Sequence, residues 1–156
     1  MTEKAFQDQF PENLSYCYGC GRLNEHGLRI KSYWDGDEGV CVFQPEPYHI
    51  AVPGYVYGGL IASLIDCHSA CTAAAYVCRS EGRPIGSDPV VAMLTASLHV
   101  DYLRPTPLGV PLEVRASVVE AKGRKIVMSA RLLAEGEVCA QGQVVTVQAP
   151  DRLMLP

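Results

Sequence analysis

The stretch GGLIASLIDCHSACTAAAYVC, Gly58 to Cys78, carries the one long helical pattern of this chain. Leu60, Ile61, Leu64, Ile65, His68, Cys71, Thr72 and Ala75 recur at helical spacing and make one apolar face. Gly59, Ala62, Ser63, Asp66, Ala70 and Ala73 make a second stripe of small residues. Small side chains let something approach the helix closely: a sheet, a second helix or a ligand. On both sides of the helix the chain has strand character. Upstream, Leu28 to Trp34 and Gly39 to Phe43 flank the turn Asp35-Gly36-Asp37 and form a hairpin pattern. Downstream, Ala92 to Leu103 alternates. Ala92, Leu94, Ala96, Leu98, Val100 and Tyr102 are expected on one face, and Thr95, Ser97, His99 and Asp101 on the other. Val110–Ala121, Arg124–Leu133 and Glu137–Gln148 follow with short turns, as in an antiparallel meander. Two strands, one helix and four strands predict an α+β domain in two layers, a helix against an antiparallel sheet. A helix of about 21 residues is only ~30 Å long and covers part of six long strands. The apolar surface left over is expected to be buried against a partner subunit.

Composition bounds the class. At 156 residues the chain is read as a single domain, 1–156, opening with an irregular N-terminal segment, 1–27. With 48% hydrophobic and 19% charged residues it can bury a core, which excludes global disorder. The net charge of −4 and the lack of a basic stripe argue against a nucleic-acid partner. No apolar run of the ~18–20 residues needed for a membrane span is expected, and the first residues carry no secretory pattern. A cytoplasmic protein without a membrane partner is the expectation. The seven cysteines are an odd set. Cys67, Cys71 and Cys78 lie in the helical pattern, and Cys41 and Cys139 in strands. They are expected to be small buried apolar residues of a reduced protein. Cys17-x-x-Cys20 with His26 has half the spacing of a zinc site. No second CxxC or HxxxH pair accompanies it, although distant residues could complete a site, so no metal is expected. A small metal-stabilised interaction domain built on Cys17 and Cys20 is the reading this leaves aside.

Two features of the helix bear on chemistry. Gly58 and Gly59 open it, leaving free and sterically accessible N–H groups at the positive end of the helix dipole. That is a place for a carboxylate, a phosphate or a developing oxyanion. A tight turn out of the preceding Pro-rich loop explains the same glycines. Asp66 is the one acid of the helix, on the small-residue stripe. A carboxylate there is costly unless it has a partner, such as an Arg or Lys of the sheet, or a job. Gly58 and Asp66 are eight residues apart, about 12 Å along the axis. One carbonyl cannot touch both in the same chain. If both act on one group, the site is made by two chains. His68, on the apolar face, is expected to be a satisfied core histidine. Arg104 and the turn Lys122, Arg124 and Lys125 are the cations available for phosphates, and a solvated turn accounts for the latter equally well.

The segment Pro53-Gly54-Tyr55-Val56-Tyr57-Gly58-Gly59, with Asp66 seven positions on, resembles the central-helix motif of the hotdog-fold acyl-CoA thioesterases. The nearest branch is that related to the phenylacetate-degradation (PaaI-like) thioesterases. Leu94 to Pro105 is similar to the family strand that ends in Tyr-x-Arg-Pro. Cys17-Tyr18-Gly19-Cys20-Gly21, Asn24 and Gly27-Leu28 resemble the opening of one family subset. The likeness spans residues 17–148. It implies a long helix wrapped by a curved antiparallel sheet of about six strands, assembled as a dimer or a dimer of dimers. It implies hydrolysis of a small or medium acyl- or aryl-CoA, with no metal or redox cofactor. The Gly58 N–H would polarise the thioester carbonyl. Asp66 of the facing chain would act as general base or nucleophile, and Thr95 would orient water. Tyr57, Gly59, His49 and Arg104 would contact substrate. Tyr57 stands where the family carries His, and Ala51 where some relatives carry Asn. A non-hydrolytic acyl-CoA-binding protein is the alternative those departures leave.

Overall fold

The computed structural model describes residues 3–153. Two short 3-10 turns, Phe6–Gln9 and Glu12–Leu14, precede β1 (Ser32–Asp35) and β2 (Glu38–Phe43). The helix α1 spans Gly58–Ser80. It is followed by β3 (Met93–Tyr102), β4 (Leu112–Lys122), β5 (Lys125–Ala134) and β6 (Glu137–Gln148). The strands form one antiparallel sheet in the order β1-β2-β4-β5-β6-β3. This is the helix-on-sheet architecture expected. The three C-terminal strands are a meander, and β3 crosses over to pair with β6 at the sheet edge.

The expected apolar face of α1 is buried throughout, with Leu64, Ile65, His68 and Thr72 fully covered. It packs on Val114, Ala116, Met128, Ala130, Leu132 and Val144 of the sheet. The small-residue stripe behaves differently. Gly59, Ala62, Ser63, Asp66 and Ala70 are each half-buried, so within one chain this part of the helix stays partly open, while Ala73 at the end of the stripe is fully buried. By length and composition α1 is apolar enough to cross a membrane, which corrects the expectation that no stretch qualifies. Most of it is buried inside the fold, because a helix packed against a sheet along its length has the same composition.

Two other expectations change. The first strand begins at Ser32 rather than Leu28. Leu28 N–H donates to Tyr18 O and Ile30 N–H to Gly19 O, so these amides serve the N-terminal loop and not the ladder. From residue 3 to 27 the only regular elements are the two 3-10 turns, and the first of them belongs to the core. Ala5, Phe6 and Gln7 are buried, and the Phe6 ring packs on Trp34 with centroids 5.1 Å apart.

The third correction concerns β3. Thr95 pairs with Thr146 and Ser97 with Val145, so Ala96 is an extra residue in a β-bulge. A bulge shifts the alternation by one. Thr146, Val144 and Gly142 face α1, and their partners Thr95, Leu98 and Val100 therefore do too. Tyr102, opposite Ala140, continues the same face. Thr95 thus leaves the face assigned to it from simple alternation, while Leu94 and Ser97 turn outward with His99 and Asp101. Seven residues separate Thr95 from Tyr102, an odd spacing that an unbroken strand would send to opposite faces. At Gly142 the sheet meets the helix: a Cβ there would lie 2.8 Å from Ile65 Cγ2 and 3.0 Å from His99 O. Gly142→Ala is expected to lower stability by ~1–3 kcal/mol through overpacking, measured by denaturant unfolding.

Candidate active site

Asp66 sits on the second turn of α1 beyond the helix start, half-buried on the small-residue stripe. The bulge turns Thr95 toward it. Thr95 Oγ1 donates a hydrogen bond of 2.6 Å to Asp66 Oδ1. No Lys or Arg pairs with Asp66 among the described residues; their ion pairs use other carboxylates. The salt-bridge explanation for this acid therefore fails there. The bond to Thr95 orients the carboxylate without neutralising it.

A second group of the expected residues gathers at the helix N-terminus. Tyr57 is the N-cap and provides no side-chain cap. The N–H groups of Leu60 and Ile61 turn back to Tyr57 O at 3.1 and 3.4 Å. Those of Gly58 and Gly59 have no backbone acceptor among the described residues, as expected of the first helix donors. The Tyr57 ring lies over Gly59 so closely that a Cβ at Gly59 would strike it. Tyr57 N–H donates to His49 O at 3.0 Å, which ties the His49 loop to the helix start. His49 Nδ1 accepts from the Glu46 N–H at 2.9 Å, so that nitrogen is used in holding the loop.

Tyr102 is a residue whose part in the site the sequence reading did not assign. Its O–H donates to Gly58 O at 2.7 Å, clamping the first turn of α1 to the edge strand. Burial, followed by the neighbouring Tyr57, holds its phenol above the ordinary range, so it stays a donor at neutral pH. The signal available in sequence was its place before Arg104-Pro105, at the end of the alternating strand. Arg104 itself is exposed and paired with Glu137 at 2.7 Å. Arg124 is used in the fold, donating to Gln148 O and Ala149 O. His99 and Asp101 share a solvated outer face, 3.1 Å apart, away from Thr95. His68 lies outside the site, buried and satisfied at both ring nitrogens.

The structure therefore gathers the residues into two clusters along one helix, Asp66 with Thr95 and Gly58 with Tyr57, Gly59, His49 and Tyr102. Beside the first runs a groove of about 310 Å³. Asp66 and Thr95 stand in its wall with Ala70, Ala74, Val91, Met93 and Leu94. Phe10 and Leu14 of the N-terminal segment close one side. Sequence periodicity did not reveal these two, because a short 3-10 turn has no lasting apolar repeat. The groove wall is predominantly apolar, suited to a hydrocarbon or aryl group with a carboxylate and a hydroxyl at its margin.

The chain is similar to known proteins. The acyl-coenzyme A thioesterase THEM4 of Xenopus laevis is 36% identical over 93 residues, which is 60% of this chain and 36% of that protein. The rat protein of that name is 32% identical over 98 residues, 63% of this chain and 36% of the relative. This chain thus spans about a third of the length of those curated relatives. A thioesterase superfamily protein from Shewanella loihica is 41% identical in structural alignment, with a TM-score of 0.66 over 81% of this chain and 96% of that one. The PaaI protein of the E. coli phenylacetic acid degradation operon shares the fold, at 17% identity and a TM-score of 0.64, over 79% of this chain and 81% of that one. The thioesterase superfamily profile matches residues 53–148, from the loop before α1 to the end of β6, and the chain belongs to that superfamily.

Proposed function

We propose that this protein hydrolyses small or medium acyl- or aryl-CoA thioesters at a site shared by two copies of the chain. The observation that carries the reading is the Thr95–Asp66 bond of 2.6 Å beside an apolar groove. Asp66 of one chain takes a proton from water, and the oxygen attacks the thioester carbonyl carbon. The charge that develops on the carbonyl oxygen is met by the Gly58 N–H of the other chain. The tetrahedral centre then collapses, the C–S bond breaks, and the CoA thiolate departs as a good leaving group that needs no strong acid. Thr95 keeps the carboxylate pointed at the water. The acyl or aryl group occupies the groove, and Tyr57 and His49 border the carbonyl. Arg104, at the surface, is available for the phosphates of CoA by exchanging its partner Glu137.

The shared site is supported by the axial separation of Gly58 and Asp66, about 12 Å for eight residues of helix. It is supported too by the open flank of α1 and by the edge strand β3, where Leu98 and Tyr102, on the face toward α1, stay exposed in one chain. A copy placed along this edge would cover these side chains. The curated relatives that carry acyl-coenzyme A thioesterase in their names fit the same chemistry. Seven unpaired cysteines fit a reducing compartment, the cytoplasm.

The substitutions Tyr57 and Ala51 favour a second reading, a protein that holds acyl-CoA without cleaving it. A panel of short, medium and long acyl-CoAs with phenylacetyl- and benzoyl-CoA separates the two. Loss of thioester absorbance is the readout, since seven cysteines would consume a thiol reagent. Turnover on a small or aryl member is the expected result. Thermal stabilisation by CoA esters without turnover would replace hydrolysis by binding.

A further inference from the structure

The groove wall holds a group the thioesterase reading does not use. Cys17 and Cys20 of the N-terminal loop meet Cys67 of α1, and their three sulfurs lie within 4.8 Å of one another. Cys17 Sγ and Cys67 Sγ are 3.8 Å apart. Two thiolates on a tetrahedral zinc, each ~2.3 Å from the metal, are separated by about 3.8 Å. We infer that Cys17, Cys20 and Cys67 form a thiolate site for a soft divalent cation, of which zinc is the type, pinning the N-terminal loop to the central helix.

Several features fit the ion. His26, the ligand suggested by sequence proximity, is solvent-exposed beside Glu25 and takes no part. The third sulfur comes instead from fifty residues away. The loop is shaped to bring it there: a Cβ at Gly19 would strike Cys67 Sγ, and one at Gly21 would lie 2.5 Å from Cys17 N. Cys17 Sγ shares a hydrogen-bonding contact with the Cys67 thiol, and the backbone N–H groups of Gly19 and Cys20 point at it. Backbone donors of this kind belong to the supporting shell that metal ligands commonly have. A thiol that ligates the ion releases its proton on coordination. Cys71 lies one turn beyond Cys67 in the same groove wall and interacts with Cys20, so it is the next sulfur for the fourth position.

The test is independent of hydrolysis. The full chain, reduced and stripped of metal, is titrated with cobalt(II) and then zinc, following absorbance and melting temperature. One cobalt per chain with thiolate charge-transfer absorption is expected, displaced by zinc, with a rise in melting temperature. Cys17 is exposed, so Cys17→Ser should fold normally and lose the band, and Cys67→Ser should lose it as well. Cys139→Ser, in the core away from the loop, should keep it. No band in reduced protein, or a band that survives Cys17→Ser, overturns the site. So does a Cys17–Cys67 disulfide found by peptide mass spectrometry in a chain that takes up no metal after reduction.

Discussion

Asp66→Asn is expected to lower kcat for CoA thioesters by at least ~10²-fold while leaving CoA affinity and melting temperature near those of the unaltered protein. Asn keeps the size of the side chain and an oxygen that accepts from Thr95, so the 2.6 Å contact and the groove wall survive. What it lacks is the basic oxygen that takes the proton from water. Loss of turnover with unchanged affinity separates a chemical role from a structural one. Thr95→Val should act in the same direction and less strongly, because the base remains and only its orientation is lost. Full activity in Asp66→Asn would remove the proposed chemistry altogether. In the mixed experiment, Asp66→Asn chains combined with Gly58→Val chains should regain activity. Each mixed dimer holds one site with an intact Asp66 and an open Gly58. A failure of rescue in verified mixed dimers would place the whole site in one chain.

The second large effect is on stability in acid, and it comes from His68. The imidazole is fully buried. Its Nε2–H donates to Gly39 O at 2.9 Å, and Nδ1 accepts from Ser32 Oγ at 2.8 Å. Gln7 completes the network, giving its amide N–H to Ser32 Oγ and accepting the Ser32 N–H. Every polar atom of the ring is used in the neutral form, and a second ring proton would face the Ser32 hydroxyl. Burial accordingly pulls the pKa down to about 4, against a partial upward pull from the Gly39 carbonyl. In the unfolded chain the ring titrates near its ordinary value of about 6.5. Between these two values the unfolded chain carries a proton that the folded chain refuses. Stability therefore rises with pH across this window, is complete above about 6.5, and is lost as pH falls toward 4. The full span is worth about 3 kcal/mol. Urea unfolding at several pH values between 7.5 and 4.5 should show this slope. His68→Gln should be less stable at neutral pH and show a flatter profile. An equal slope in both would mean that the acid sensitivity lies elsewhere, for example in Glu38, whose carboxyl is held low chiefly by its hydrogen bond to Arg131.

The N-terminal segment shows how local pattern and packing part company. Gln7 and Ser32 are 25 residues apart, and their two hydrogen bonds are invisible to any periodic reading. The same holds for Phe6 on Trp34. Such contacts are fixed by which apolar side chains can be buried together once the sheet exists, and an irregular segment has no repeat to announce its buried residues.

Much of this molecule lay open in its residues. The element order, the span of α1, its buried face and the spacing of Gly58 from Asp66 follow from rules that act within a few residues: side-chain direction repeats every 3.6 positions in a helix and every two in a strand. A family motif around Pro53 to Asp66 added the chemistry. Three things depended on the folded whole. One is the strand order, with β3 at the edge beside β6, since pairing partners are chosen by long-range burial and loop closure. Another is the bulge at Ala96, which inserts one residue with no mark in the alternation and so carries Thr95 onto the face of Asp66. The last is the meeting of Cys67 with Cys17 and Cys20. A helix pattern places Cys67 within α1, but only the docking of the N-terminal loop on that helix determines what its sulfur faces.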